Sequence, residues 1–330
     1  MWFTARDAGG GSAIHAVTLS GKRRLVARMD GRVVLEDIFR DGRVLLKRIN
    51  ERVGVVALPP GETRERDRSW LDGSNSADLS ANGKILLLTE SLEAGGVNRS
   101  AYLRKTDGSP AVRLGDGGAR ALSADGKWVV GQLPGSPPKL VLLPTGAGET
   151  RVLRTGLVSE YRFATWFPDG RRLLIAGNEP GRAVRCYIQD LEGGAPHPIT
   201  PEGTTIYSHG HSVSPDGRFV AALSTERRLT LYPVDGGDPL PLPGLDSRDR
   251  PIRWSEDGRY LYVSPPGVRS VKVYRLDLAT QKKELWKAIA PADQAGLDFL
   301  GYVQITPNAK AYAYTYSRVL SDLYLVEVLK

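Results

Sequence analysis

The chain has 330 residues, of which 37 are Gly and 22 are Pro, and 41% are hydrophobic. This Gly and Pro content indicates many turns and short elements, which excludes a helix bundle, and the hydrophobic content excludes a disordered chain. The 45 basic and 37 acidic residues give a net charge of +8 without a long block of one sign, so no nucleic-acid-binding arm is expected.

A turn motif recurs seven times along the chain. Each copy has an apolar residue, two further residues, Asp or Asn, Gly, and then Lys or Arg. The copies are 38–43, 79–84, 122–127, 166–171, 213–218, 254–259 and 305–310, and the last has Ala309 in place of Gly. Successive Asp or Asn positions lie 41, 43, 44, 47, 41 and 51 residues apart, a period typical of a four-stranded propeller blade.

Each motif predicts a tight hairpin between the first two strands of a blade. Asp-Gly and Asn-Gly supply the positive φ that such a turn needs, and the Asp side chain bonds its own backbone. Ala tolerates positive φ poorly, so the turn at Ala309 is expected to differ or to be strained. A second turn with Gly follows, as in 102–108, 140–146 and 229–236, and leads to an outer strand. We therefore predict an all-β fold, a β-propeller of four-stranded antiparallel blades.

The two ends of the chain carry incomplete repeats. Residues 2–5, 14–19 and 24–28 resemble the second, third and fourth strands of a blade. Residues 299–329 resemble the first, second and third strands of another. Pairing 24–28 with the last repeat gives seven blades and leaves 1–20 as a strand remnant of a preceding blade or domain, with the propeller in 21–330. If every predicted strand is counted as part of the ring, the chain forms eight blades, and the blades at the two ends of the chain are incomplete. Closure of the ring hides sheet edges in both cases, and seven blades are favoured.

The Ser-Pro-Asp-Gly-Arg turn at this period resembles the bacterial WD40-like repeat, which is also found in the TolB propeller. The chain is similar, more closely, to the propeller that follows the kinase domain of bacterial serine/threonine protein kinases, and to one that follows a winged-helix domain in some regulators. The segments behind this likeness are 65–72, 102–109, 273–278 and 320–327. The resemblance implies a kinase-like or winged-helix domain upstream, and the start of the chain within a strand suggests an N-terminally truncated fragment.

Several signals of compartment and chemistry are missing from the sequence. Cys186 is the only cysteine, so no intrachain disulfide forms, and no stretch reaches the roughly 20 apolar residues of a membrane helix. These observations leave a cytoplasmic and a periplasmic location open. No phosphate-binding loop, kinase motif or Gly-x-Ser-x-Gly elbow occurs, and no cofactor is expected.

The candidate site lies where the inner strands reach the mouth of the channel. Residues five and seven positions before the turn Asp or Asn are expected to converge there, and five of them form a candidate anion site for carboxylate or phosphate: Arg120, Arg162, His209, His211 and Arg250. Glu36, Asp37 and Asp78 are expected to neutralise part of this charge. His209 and His211 share a strand face, but two ligands do not make a metal site. The basic residue after each turn is interpreted as a charge that keeps the sheet edge soluble. Alternatively, these residues together form a basic ring that binds acidic surfaces.

The sequence favours a non-catalytic propeller that senses or binds a ligand or protein partner for an upstream signalling domain. The expected partners are a protein or a small anionic ligand, and direct nucleic-acid binding is not expected. One alternative is a periplasmic scaffold like TolB. A further alternative is a hydrolase or lyase that acts in the channel, for which His209, His211 and Arg250 would supply the acid/base or metal-binding groups.

Overall fold

The computed structural model describes residues 1–6, 11–154, 156–206 and 211–327, which divide into two compact units. Unit 1 comprises Met1–Arg52, Asp293–Asp298 and Ser317–Lys330, and unit 2 comprises Val53–Ala292 and Phe299–Tyr316. The first elements in chain order are β1(Trp2–Arg6), β2(Ser12–Val17), β3(Arg23–Met29), β4(Arg32–Ile38), β5(Val44–Leu58), β6(Arg66–Asp67), β7(Ser74–Leu79), β8(Ile85–Glu90), the single-turn helix α1(Leu92–Gly95), β9(Ser100–Lys105) and β10(Val112–Asp116).

The remaining described elements are all strands. They are β11(Gly118–Leu122), β12(Trp128–Leu133), β13(Lys139–Pro144), β14(Arg151–Val152), β15(Glu160–Trp166), β16(Arg172–Asn178), β17(Arg185–Asp190), β18(His197–Pro198), β19(Phe219–Leu223), β20(Leu229–Pro233), β21(Leu240–Pro241), β22(Arg250–Trp254), β23(Tyr260–Ser264), β24(Val271–Asp277), β25(Lys283–Ile289), β26(Leu297–Ile305) and β27(Tyr312–Val326). Among the described residues no helix is long and apolar enough to cross a membrane.

The described part of unit 2 is built from six antiparallel sheets, which we number as blades. Blade 1 is β7–β10, blade 2 is β11–β14, blade 3 is β15–β18, blade 4 is β19–β21 and blade 5 is β22–β25. Blade 6 combines the unit 2 residues of β26 and β27 with those of β5 and with β6. In blade 4 the inner position is taken by residues 211–214, where Val213 bridges Val220.

Hydrogen bonds link blades that follow one another and close the ring of unit 2. The Trp254 indole N–H of blade 5 donates to the Ser212 carbonyl of blade 4 at 3.3 Å. The Ser76 backbone N–H of blade 1 donates to Thr315 Oγ1 of blade 6 at 2.9 Å, so the first blade meets the last. Between the blades lie apolar clusters in which facing strands interdigitate. The strand periodicity of two thus produces buried faces on both sides of most blades.

The predicted class, an all-β propeller of antiparallel blades, is confirmed, while the strands are assigned differently from the sequence prediction. The described residues form seven sheets, of which five lie wholly in unit 2 and one, β1-β2-β3, lies in unit 1. Segments 2–5, 14–19 and 24–28 lie in the successive strands of one sheet, as their resemblance to the second to fourth strands of a blade predicts. The predicted pairing of 24–28 with the last repeat is wrong, because β5 lies beside β27. The domain boundary predicted after residue 20 stays a prediction.

Unit 1 has its own small apolar core. Its described residues form the antiparallel sheet β1-β2-β3 and a ladder between β4 and β5, in which Arg32 pairs with Ile49. Ile14, Val33 and Leu46 are almost fully buried in this core. The Val33 backbone N–H donates to Ser12 Oγ at 2.8 Å and so connects β4 to β2.

The Asp-Gly turns have the predicted structure. In blade 2 the Asp125 carboxylate accepts the Lys127 backbone N–H at 3.0 Å and the Ser123 hydroxyl at 2.6 Å. These hydrogen bonds, chiefly that from Ser123, lower the pKa of Asp125. The positive φ of 72° falls on Gly126. The turn Asp residues therefore stabilise their own hairpins, as the sequence indicates.

Ala309 replaces Gly in the turn of blade 6 without changing its hydrogen bonds. The Ala309 backbone N–H donates to the Thr306 carbonyl at 2.8 Å, as in the Gly-containing turns, and φ is 54°. A side chain at positive φ costs about 1 kcal/mol. We expect Ala309→Gly to raise the free energy of unfolding by about that amount in urea denaturation. Ala124→Gly, in a turn position without positive φ, is the control; equal effects of the two changes would show that Ala309 is not strained.

Candidate functional site

A shared irregularity in the inner strands determines which side chains reach the axis of the propeller. The ladders between the first and second strands shift register in blades 1, 2, 3 and 5, which marks a β-bulge in each. A bulge re-aims the side chains beside it. The residues four positions before the turn Asp or Asn are buried in all six blades: Asp78, Ala121, Thr165, Ser212, Arg253 and Gln304.

Asp78 and Arg253 meet at the axis together with His211. His211 Nε2 lies 2.8 Å from Asp78 Oδ1 and 2.7 Å from Arg253 Nη1. Arg253 Nη1 also donates to the Leu79 carbonyl at 3.1 Å and lies 3.9 Å from Asp78 Oδ1. The Leu122 backbone N–H donates to Asp78 Oδ2 at 2.9 Å. These contacts join blades 1, 2, 4 and 5, and we call Asp78, His211 and Arg253 the axial cluster.

Burial and pairing act against each other in the axial cluster. Burial alone would raise the pKa of Asp78, but the neighbouring His211 and Arg253 and the Leu122 N–H lower that pKa below its ordinary value. Burial lowers the pKa of Arg253 to about 10, and the Asp78 carboxylate opposes this change. At neutral pH the cluster is therefore an ion pair inside the ring.

A cavity of about 670 Å³ opens on the side of the Asp-Gly turns. All six blades of unit 2 line this pocket, and the axial cluster forms its inner end. Its lining includes Trp166, Phe167 and Trp254, which belong to the buried clusters between blades, and the exposed turn residues Ala81 and Ala124. The repeat thus places one turn of each blade around a single opening.

The structure brings two of the predicted site residues together, namely Asp78 and His211. Arg120 is on β11 and bonds Gln132, Arg162 is exposed on β15, and Arg250 donates to the Ser247 carbonyl at 2.9 Å. His209 lies outside the described residues. Glu36 and Asp37 are exposed on β4 in unit 1, whereas the site described above is built from unit 2 alone.

Arg253 was missed by the sequence analysis, which sought the anion site at the positions five and seven before each turn. The signal was present at the fourth position, where Asp78 and Arg253 carry opposite charges in different repeats. In the described part of the chain no group of three His, Cys, Asp or Glu side chains is arranged to hold a metal ion.

The fold and the pocket define a β-propeller with a polar axis and one open turn face. Among solved structures, a putative TolB from Agrobacterium tumefaciens is similar with a TM-score of 0.60 and 18% identity, over 82% of this chain and 99% of that chain. TolB from Acinetobacter baumannii has a TM-score of 0.51 and 12% identity, over 97% and 81% of the two chains. An oligogalacturonate lyase from Vibrio parahaemolyticus has a TM-score of 0.51 and 14% identity, over 81% and 97%.

These similarities show a TolB-like propeller fold. No protein-family model matches the chain, and no curated protein matches it in sequence. The expectations of a kinase-associated role and of a truncated N-terminus stay predictions.

Proposed function

We propose that this protein is a TolB-like propeller scaffold that binds an extended segment of a protein partner in the pocket at the Asp-Gly turn face. The observation that carries the proposal is the pocket itself, since all six blades of unit 2 line it and exposed turn residues stand at its edge. Propeller faces of this kind present many loops to one partner. The sequence analysis favoured an accessory module of an upstream signalling domain and gave a TolB-like scaffold as an alternative. The TolB-like fold supports this alternative.

The bonding of the axial cluster favours binding over catalysis at this site. Asp78 accepts backbone N–H groups from Leu79 at 2.7 Å and from Leu122 at 2.9 Å, and it also contacts His211. A general base or a nucleophile needs a lone pair that is directed at the substrate. Here the Asp78 oxygens and His211 Nε2 are directed at one another, at Arg253 and at the backbone, so we infer that the cluster holds the blades and shapes the end of the pocket.

The basic residues that follow the turns favour a partner segment with acidic residues. Each blade of unit 2 places an exposed basic residue directly after its turn: Lys84, Lys127, Arg171, Arg218, Arg259 and Lys310. The turn carboxylates nearby are engaged with their own backbone, as Asp125 is with Lys127 N–H. None of these six residues lines the pocket itself, whose lining at the turns includes Asp125 and Glu256, and Arg259 is paired with Asp277. Exposed basic side chains on the same face still accelerate and orient the association of acidic partners. A segment with an apolar anchor between acidic residues is therefore the partner that we propose for the pocket and the basic residues around it.

A random peptide library displayed on phage tests the proposal. We expect selection on the full chain to enrich peptides with an apolar residue flanked by Asp or Glu. Ala124→Trp fills the mouth of the pocket and should weaken the binding of these peptides at least about tenfold. Ala183→Trp, an equally exposed Ala in the loop between β16 and β17, is the matched control and should leave their affinity unchanged.

Two results would contradict the proposal. The first is that no peptide is enriched above a library selected on the blocked Ala124→Trp variant. The second is that the enriched peptides bind wild type, Ala124→Trp and Ala183→Trp equally. Turnover of a substrate that is lost in His211→Ala while peptide binding is absent would favour the channel-centred enzyme instead.

A further inference from the structure

A second cavity lies at the strand ends that are remote from the Asp-Gly turns. It has a volume of about 260 Å³ and is lined by residues of blades 5 and 6. In blade 5, Arg250 at the start of β22 pairs with Ser264 at the end of β23, whereas the Asp-Gly turn joins the other ends of these two strands. None of the described residues lines both this cavity and the pocket at the turns. The cavity is therefore a separate site.

The walls of this cavity are apolar. Blade 5 contributes Pro251 and Pro265, and blade 6 contributes Phe299 and Tyr302, whose rings pack edge to face with centroids 5.6 Å apart. A Cβ on Gly301 would lie 2.3 Å from the Phe299 ring, so glycine at this position allows the ring to pack against the backbone. Phe299 is 37% exposed, and Tyr302 is 38% exposed. An apolar ligand would therefore remove hydrophobic surface from water.

The cavity is formed without a ligand. An antiparallel bridge between Gly267 and Leu300 connects the loop between β23 and β24 of blade 5 to β26 of blade 6. Tyr302 has a left-handed backbone with φ of 49°. Strained non-Gly residues of this kind cluster at binding sites, where the surrounding fold holds them in place. A ligand that enters a preformed cavity loses little of its binding energy to ordering the protein.

Arg250 is the one charged side chain among the described residues that line the cavity. Its Nη1 donates to the Ser247 carbonyl at 2.9 Å and to the Asp249 carbonyl at 3.2 Å. These contacts fix the orientation of the guanidinium, so the side chain loses little further freedom when it binds an anion. Arginine is the residue that best matches the planar geometry of a carboxylate.

We propose that this cavity, which we call the Arg250 groove, binds a small carboxylic acid that carries an apolar ring or chain. The carboxylate pairs with Arg250, and the apolar part lies against Pro251, Pro265 and Phe299. Pockets for drug-sized ligands have volumes of roughly 300–1,000 Å³. The Arg250 groove, at about 260 Å³, is smaller and therefore suits a single ring or a short chain.

Calorimetric titration of the full chain tests this site with three probes: 3-phenylpropionate, its neutral amide, and acetate. We expect 3-phenylpropionate to bind, and the other two probes to bind at least about tenfold more weakly. The amide lacks the charge that pairs with Arg250, and acetate lacks the apolar group that fills the groove. Arg250→Leu should abolish the binding of 3-phenylpropionate. Arg269→Leu is the matched control, because Arg269 is exposed in the loop between β23 and β24 and does not line the groove.

Pro266→Trp tests the groove without removing the Arg250 hydrogen bonds to the backbone. Pro266 is an exposed lining residue, and an indole at this position should block the entry of 3-phenylpropionate. Ala124→Trp, at the turn face, should leave the binding of 3-phenylpropionate unchanged, so this site and the peptide pocket are tested independently. Three results would overturn the proposal: no binding of 3-phenylpropionate to wild type, equal binding of the acid and its amide, or binding that persists in Arg250→Leu or Pro266→Trp.

Discussion

Replacement of Asp78 by Ala is expected to lower the free energy of unfolding by about 3–5 kcal/mol. Asp78 is 2% exposed and lies between His211 and Arg253 at the axis of the propeller. Its loss leaves the Arg253 guanidinium buried without an anion and removes the acceptor of the Leu122 N–H. Urea denaturation of wild type and variant, followed by circular dichroism, measures the difference.

The double variant Asp78→Ala/Arg253→Met is the decisive comparison for this effect. If the loss of stability comes from the buried, unpaired Arg253 guanidinium, the removal of both charges should recover part of the stability that the single change loses. Asp125→Ala, at an exposed turn carboxylate, is the control and should have a much smaller effect. A loss of less than about 1 kcal/mol for Asp78→Ala would show that the axial cluster does not hold the blades together.

Replacement of Tyr314 by Ala is expected to cost about 3–5 kcal/mol, because a fully buried aromatic side chain is removed from blade 6. Blade 6 joins strands from opposite ends of the sequence. The Tyr314 hydroxyl donates to Glu65 Oε2 at 2.9 Å and the Tyr312 hydroxyl donates to Glu65 Oε1 at 2.6 Å. Burial and the Glu65 carboxylate raise the pKa of both tyrosines, so they remain neutral donors.

Tyr314→Phe keeps the ring and removes only the hydroxyl, so it should cost about 1 kcal/mol. Hydrogen exchange should show that Tyr314→Ala loses protection first in the unit 2 residues of β5 and β27, where the ring of blades is closed. Equal costs for Tyr314→Ala and Tyr314→Phe, or uniform loss of protection over all six blades, would contradict a closure that depends on this packing.

The repeat made the fold predictable because its turn chemistry is local. Positive φ at Gly126 and the Asp125 side-chain bonds to its own backbone follow from two adjacent residues. The strained Ala309 was predictable for the same reason. A period of 41–51 residues between these turns leaves room for four strands and little else.

The assignment of the terminal strands was not predictable in the same way, because it depends on pairing between distant segments. Strand β3 has the predicted pattern of an outer strand and pairs with β2, but β5 and not β3 lies beside β27. A strand with polar and apolar residues on both faces accepts several neighbours, so periodicity alone does not select one.

The axial cluster was only half predictable, since a β-bulge changes which residue reaches the axis. The bulge in blade 5 lies between Pro251 and Arg253, so the position of Arg253 differs from that in a regular strand. Counting positions in the sequence identified Asp78 and His211 but passed over Arg253. Alignment of all repeats at the fourth residue before the turn would have found the charge pair.

The most direct measurement is fluorine NMR of the full chain labelled with 5-fluorotryptophan, recorded with and without a peptide selected from the library. Trp166 and Trp254 line the pocket, whereas Trp128 and Trp286 do not. Single Trp→Phe variants assign the resonances. We expect the signals of Trp166 and Trp254 to shift on saturation and those of Trp128 and Trp286 to stay unchanged. Shifts confined to Trp128 or Trp286 would place the partner elsewhere and would contradict binding at the turn face.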